Sequence, residues 1–433
     1  MRYIRFLALG AACSAYGSYV NMVALSLFSY AVTGTALGTG LFMALRLSAS
    51  VLGGSVAALL ARRLDRKVLM MTADLTQATG LFTLLLAPDG ARGYLLYGLA
   101  VVTGLCATVS SVSLRSAVPD IAGQELRVPA NALLATSRSM AMVAGFASAG
   151  PVVAWLGFTG AIAIDACTFL VSAANLAVLP LRIRPTAGAT GSDGGPDGDK
   201  AAGQGGAPER RTARWLFSLT PLLLFMVSIR GLDAFGSSSH NVGLPVYSSE
   251  LDEAHPASFI SFFWATWALG NIATQRVVAY RAKRSGRALG EWAFALGTVV
   301  MSATFVLGFA GLPMPLTVAI VFLAGMADGL SEIAYTSRLQ TVPDDQRTRV
   351  FGISATVESV GFGSGMVISA ALMERMSPFG VVGVMHGVAL AVGVVFMFFL
   401  VRIGRAARER SAAQDGATSV EDRTLAEEGR GAR

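Results

Sequence analysis

Apolar stretches of about 20 residues recur along the chain with short polar connections between them. They cover 6–30, 37–61, 68–87, 94–114, 130–156 and 158–179, and then, beyond a Gly- and Asp-rich segment at 181–214, they cover 219–247, 258–280, 292–310, 316–335, 350–373 and 379–401. A helix needs about 20 apolar residues to cross roughly 30 Å of hydrocarbon, where no water satisfies a bare backbone N–H or C=O. The pattern therefore predicts an all-α membrane protein of 12 transmembrane helices, arranged as two pseudo-symmetric six-helix bundles. The expected organisation is a first bundle at 1–180, a flexible cytoplasmic linker at 181–214, a second bundle at 215–403 and a disordered cytoplasmic tail at 404–433. Linker and tail hold too little apolar surface to offset the entropy of ordering them.

Composition agrees with a lipid environment: 53% of the 433 residues are hydrophobic and 14% charged, too few charges for a water-facing surface. The net charge of +7 raises nucleic acid as a partner, but the basic residues sort by membrane side instead. All but five of the 34 Lys and Arg fall at the termini, at the connections or, for Arg276, near the end of a stretch on one side. The exceptions are Arg92 and Arg375 on the other side and Arg46, Arg138 and Arg230 inside apolar stretches. Positive charge is retained on the cytoplasmic face, so both termini are expected inside, in a multi-pass plasma-membrane protein. Residues 1–30 are read as a first span rather than a signal peptide, because the apolar run is too long for a signal core. Cys13, Cys106 and Cys167 lie in separate stretches without metal-ligand spacing, so neither a disulfide nor a metal site is expected.

An internal repeat supports two related halves. Val118-Pro119-Asp120 after the fourth stretch recurs as Val342-Pro343-Asp344 after the tenth, and the basic run 61–67 after the second recurs as 282–287 after the eighth. Halves related by an axis along the membrane normal enclose a cavity near the midplane that opens to either side as one half rocks. With its 6 + 6 layout, central linker and basic loop between the second and third helices, the chain resembles the major facilitator superfamily. Within it, Arg115-Ser116-Ala117-Val118-Pro119-Asp120 with Ala130-Asn131-Ala132-Leu133-Leu134, Ile164-Asp165-Ala166-Cys167-Thr168-Phe169, and Leu339-Gln340-Thr341-Val342-Pro343-Asp344 resemble the 12-helix drug:proton antiporter branch, which includes macrolide and siderophore exporters.

The resemblance implies a gate at the basic loop. The family runs roughly Gly-x-Leu-Ala-Asp-Arg-x-Gly/Asp-Arg-Arg there, whereas this chain has 58–67 as Ala-Leu-Leu-Ala-Arg-Arg-Leu-Asp-Arg-Lys. Arg62 stands in place of the family's aspartate, and Lys283 does so in the second half. The expected substitute is charge-inverted: Arg62, Arg63 and Arg66, beside Asp65, would face Asp344 and Asp345, while Lys283, Arg284 and Arg287 would face Asp120 and Glu125. These residues equally satisfy a plain positive-inside role. In the fifth helix, antiporters of the superfamily carry Gly-x-x-x-Gly-Pro-x-x-Gly-Gly, against which Ala141, Gly145, Phe146, Ala149 and Gly150 align; such small residues also serve close helix packing.

Ionisable residues in lipid cost at least about 2.5 to 3.5 kcal/mol, so those that persist should face the bundle interior. Proton coupling is assigned to Asp165, Asp233, Asp328, Glu332 and Glu358. Arg230 and Asp233 can neutralise each other at i, i+3, and Asp328 and Glu332 share a helix face at i, i+4, where a crowded pair suits proton exchange. Cavity candidates are Tyr16, Asn21, Arg46, Arg230, Asn241, Trp264, Trp267 and Asn271, with packing as the alternative for the aromatic ones. His240 and His386 read as packing residues. No GxxxxGK[ST] loop and no set of catalytic groups is present, so the expectation is a non-enzymatic, cofactor-free monomer driven by an ion gradient. The leading function is proton-coupled efflux of a small amphipathic drug or natural product. A proton symporter or facilitator importing a sugar or organic anion is the alternative, and a membrane-embedded sensor is the alternative of another class.

Overall fold

The computed structural model describes residues 2–61, 63–179, 220–285 and 289–431. The linker at 181–214 and the gate residues Arg62 and Arg287 lie outside them. In the first half, α1 is Arg2–Thr33, α2 Ala36–Leu60 and α3 Arg66–Leu86. A helical run over Asp89–Val178 follows, broken at Gly123 (φ 73°, ψ 168°) and Gly157 (φ 67°, ψ −176°). Side chains strain at that backbone geometry and glycine does not, so the run divides into α4 (89–122), α5 (124–156) and α6 (158–178). The second half holds α7 (Pro221–Leu251), α8 (Pro256–Ser285), α9 (Glu291–Gly308), α10 (Met314–Gln340), α11 (Asp344–Met373) and α12 (Pro378–Gly431).

Among the described residues, nine segments are long and apolar enough to cross a membrane. One of them, Pro129–Val178, is 50 residues long. At 1.5 Å per residue a straight helix of that length would reach about 75 Å, over twice the hydrocarbon thickness. The corner at Gly157 makes it two crossings. At 31 and 30 residues, α7 and α8 match their neighbours in length and fall short only in apolarity, α7 carrying Arg230 and Asp233 and α8 ending in Lys283 and Arg284. The all-α arrangement of 12 membrane helices expected from the apolar pattern is thus the arrangement observed. One particular departs from expectation: α12 continues as helix to Gly431 through the tail expected to be disordered.

Within the first half, α1, α2 and α3 pack along the α4–α6 run; within the second, α7 packs on α11 and α12, and α10 on α8 and α9. The halves meet along two seams, α2 against α11 and α5 against α8. The α5–α8 seam is closed by a cluster that includes Val23 and Leu27 of α1, Phe146 and Ala149 of α5, Ile260 and Trp264 of α8 and Phe305 of α9, with Phe146 stacked on Trp264 at 5.8 Å. The α2–α11 seam is closed by Ala36 and Ala44, Val242 of α7, Met366, Ala370 and Met373. Both clusters occupy the end of the molecule away from the chain termini, called here the far end. Glycine permits the approach: a Cβ on Gly40 would land on the Ala370 methyl and 2.9 Å from the Met366 carbonyl, and one on Gly150 would lie 3.1 Å from the Ser258 Cα.

Candidate functional site

The charges in the second half converge. From α7, Arg230 meets Asp233 of its own helix at 3.4 Å, Glu332 of α10 in a short ion pair, and Glu358 of α11 at 3.6 Å. Its guanidinium also lies 5.7 Å from the centre of the Tyr335 ring. Around this hub, Ser354 donates to Glu358 at 2.8 Å and lies 2.7 Å from the Tyr335 hydroxyl, while Asn271 of α8 donates to Asp328 at 3.2 Å and accepts from Gln275 at 2.7 Å. Helical spacing explains the convergence, since Arg230 and Asp233 share one face of α7, and Asp328, Glu332 and Tyr335 share one face of α10. Six of the residues singled out in the sequence thus stand in one cluster: Arg230, Asp233, Asn271, Asp328, Glu332 and Glu358.

A second polar centre lies in the first half. Asp165 of α6, 3% exposed, accepts from Asn21 at 2.7 Å, Ser18 at 3.4 Å and Thr168 at 3.5 Å. Gly17 of α1 sits where a Cβ would come 2.8 Å from the Asp165 carboxylate, so the missing side chain is what lets α1 carry Asn21 and Ser18 up to it. Asp165 and Arg46 of α2 are electrostatically coupled. Next to this centre is a cavity of about 950 Å³ whose lining comes entirely from the first half and includes Tyr19, Arg46, Asp74, Arg115, Asn131, Arg138 and Asn175. It reaches the surface at exposed Arg115 and Asn131, at the end where the termini lie. The far end is sealed and the terminal end is open.

Other candidates are placed differently. Trp264 is 8% exposed between Phe146 and His240 and serves the α5–α8 seam. Trp267 is half-buried beside it, its indole N–H lacking an acceptor among the described residues. Tyr16 is 3.0 Å from the Ser148 hydroxyl, and Asn241 donates to the Ser237 carbonyl of its own helix at 2.9 Å. Gly145 packs against Tyr16 and Tyr19 of α1, and Gly150 against α8. At the basic loop, Asp65 caps α3 by accepting from Lys67 N–H at 2.9 Å; Arg66 donates to the Ser116 carbonyl at 2.6 Å; and Lys67 reaches the Ala177 and Leu179 carbonyls at 3.0 and 2.7 Å. Those bonds hold the loop to its own half. Arg63, Lys283 and Arg284 are exposed, Arg284 donating to Tyr280 at 2.9 Å. The side chains of their expected partners Asp120, Asp344 and Asp345 lie outside the described residues.

Three features escaped the sequence reading. Asp74 and Gln77 of α3 are each 3% exposed beside the first-half cavity, and a carboxylate inside the stretch 68–87 was the signal for them. His240 and His386 pair at 3.1 Å, stacked with Phe305; 146 residues separate them, so no local pattern announces the pair. Glu374, just past α11, accepts from the Leu37 N–H in the first turn of α2 at 3.0 Å and bridges the halves at the far end.

Residues 7–342 match the family model described as Major Facilitator Superfamily. Uncharacterized MFS-type transporters of Mycobacterium bovis and Mycobacterium tuberculosis are each 27% identical over 353 residues, covering 78% of this chain and 76% of theirs. Among solved structures, the nucleoside transporter NupG superposes with a TM-score of 0.68 at 15% identity, covering 92% of this chain and 99% of that one. A bacterial homologue of the iron transporter ferroportin in its inward-facing state gives 0.68 at 14% identity, over 92% and 98%. The peptide transporter POT in complex with sulfate gives 0.68 at 15%, over 93% and 95%.

Proposed function

The chain belongs to the Major Facilitator Superfamily, and on that premise we propose that it is a proton-coupled exporter of a small amphipathic drug or natural product, working by alternating access. As a member it is a multi-pass membrane transporter. The proton-coupling part rests on one observation, the single guanidinium of Arg230 set among Asp233, Asp328, Glu332 and Glu358. Ionising all four acids would leave three without a counter-charge, and two such charges 4 Å apart repel by about 4 kcal/mol even at an effective dielectric of 20. The second half therefore has room for protons, taken up and released as the hub changes its exposure. Asp165, held by three donors, is the corresponding acid of the first half.

The positive-inside distribution supports reading the open terminal end as the cytoplasmic one of a plasma-membrane protein, in which case the cavity stands ready to load substrate from inside. Rocking about the two seams would open the far end and bring the basic runs near 63–66 and 283–287 against the acids around the starts of α11 and α5 as the cytoplasmic gate. Export of a drug or natural product, by a monomer, follows the resemblance to the drug:proton antiporter branch. A host overexpressing the chain should tolerate some members of an antibiotic panel better, should lose that tolerance with a protonophore, and should lose it in Asp328→Asn and Glu332→Gln. Tolerance unaffected by the protonophore would remove proton coupling. Proton-linked import of an organic anion is the rival that the arginines of the first half favour, and substrate efflux in inverted vesicles separates the two directions.

A further inference from the structure

The two polar centres carry opposite charge. In the second half one arginine pairs with three carboxylates and stands near a fourth, Asp328. In the first, the cavity of about 950 Å³ is lined by three arginines, Arg46 of α2, Arg115 of α4 and Arg138 of α5, and by one carboxylate, Asp74, which is 3% exposed. None of the three arginines forms an ion pair with a described residue. Arg138 has the neutral hydroxyl of Tyr19, at 3.4 Å, as its hydrogen-bond partner, and Arg138 and Arg115 both expose their side chains. The other buried acid of this half, Asp165, is already bound by Asn21, Ser18 and Thr168. Arg138 lies inside an apolar stretch, where a guanidinium without a counter-ion is costly, and the planar fork of an arginine fits a carboxylate with two parallel N–H donors. The rest of the wall mixes hydroxyl and amide groups with apolar side chains, Met22, Met70 and Phe169 among them, so the cavity offers a charged head site and an apolar body site.

We propose that this cavity is an anion subsite, taking a small amphipathic organic acid with its carboxylate on Arg138 and Arg115 and its apolar body against Phe169, Met22 and Met70. The inference deepens the transport reading by naming the charge of the substrate, and it rests on that reading. Arg46, next to Asp165, links the subsite to the acid of the first half. The anion then occupies the first bundle, with Asp165 beside it, while the other four coupling acids stand in the second.

The test is equilibrium binding to the purified full-length chain in detergent, with no gradient present. Calorimetry would compare 2-naphthoate, 4-phenylbutyrate and octanoate, each against its own primary amide. At least one carboxylate is expected to bind tenfold or more tightly than its amide. Arg138→Gln and Arg115→Gln should each weaken that carboxylate about tenfold, while Arg402→Gln, outside the cavity at the same end, should leave it unchanged. Where a Gln variant fails to fold, Arg138→Lys or Arg115→Lys decides: a reduced carboxylate preference supports the subsite, and an undiminished one overturns it. A panel in which no carboxylate outbinds its amide also overturns the proposal, as do folded Gln variants with affinities within twofold of the parent. Loss of proton coupling in Glu332→Gln with anion binding intact would count against the coupling reading alone.

Discussion

Gly40 is the position at which the seal of the far end can be opened by a single methyl. Its α-carbon faces α11 so closely that an added Cβ would strike the Ala370 methyl and lie 2.9 Å from the Met366 carbonyl oxygen. The oxygen belongs to a helical backbone and cannot rotate away, so α2 and α11 must part to restore ordinary contact. Overpacking of this kind costs about 1–3 kcal/mol. In Gly40→Ala the cost falls only on the state in which α2 and α11 touch at that end, and at 1.4 kcal/mol per tenfold it shifts the ratio of sealed to unsealed molecules by roughly 5- to 150-fold. The readout is a single cysteine at Val242, which is fully buried and whose Cγ1 would lie 3.6 Å from a Cβ on Gly40, in a chain with Cys13, Cys106 and Cys167 replaced. An impermeant thiol reagent applied to the far side should modify it faster by about that factor. Gly104→Ala is the control, since its Cβ would collide with the Arg46 carbonyl and the Ala49 methyl inside the first half. It should lower thermal stability without changing the labelling rate. Equal rates in Gly40→Ala and its parent, or an increase in Gly104→Ala as large as in Gly40→Ala, would refute the seam as a seal.

Glu374→Gln removes the charge that faces the first turn of α2; an exposed charge at a helix N-terminus contributes about 0.3–1 kcal/mol at low salt, so labelling at Val242→Cys should rise about two- to fivefold in dilute buffer and less in high salt. Asp65→Ala deletes the cap of α3 and should lower stability by about 1 kcal/mol in thermal unfolding while leaving carboxylate binding in place. Exchange of a monoanion for one proton moves two elementary charges in the same direction, about 4.6 kcal/mol per 100 mV. A valinomycin-imposed potential should therefore drive transport in proteoliposomes even without a pH gradient, and transport indifferent to that potential would exclude such an exchange. Asn21→Leu takes away the shortest donor to Asp165, at 2.7 Å, and leaving a buried acceptor short of a partner costs about 1–3 kcal/mol; an unchanged melting temperature would show that Asp165 does not depend on it.

Most of the architecture was legible because lipid imposes one rule on every span, an apolar length set by hydrocarbon thickness. The rule found α7 and α8 despite their charges, and it found the corner between α5 and α6, where 156 and 158 already fell in separate stretches. Part of the site was legible for the same reason: Arg230, Asp233, Asp328, Glu332 and Glu358 were conspicuous as charges in apolar surroundings, and helical spacing put two of them on one face of α10. Their meeting on Arg230 was not legible, because it depends on how α7, α10 and α11 are rotated about their axes. Asp165 and Asn21 were read as a coupling acid and a cavity amide, and their mutual bond required the close approach of α1 and α6 at Gly17. The His240–His386 pair joins α7 to α12, and Glu374 joins one half to the other; contacts of that kind arise from packing and leave no periodic trace. Trp264 shows the converse, an aromatic offered as cavity lining that packing claims for a seam.

The division of labour proposed for the bundles bears on how such a chain can change over time. An arginine-lined chamber in the first half and an acid-ringed arginine in the second have no side chain in common, so drift in the wall of one need not disturb the titrating groups of the other. On that proposal, new cargo preferences would arise by swapping residues such as Met22, Met70 or Phe169 while the acids of the partner bundle stay as they are.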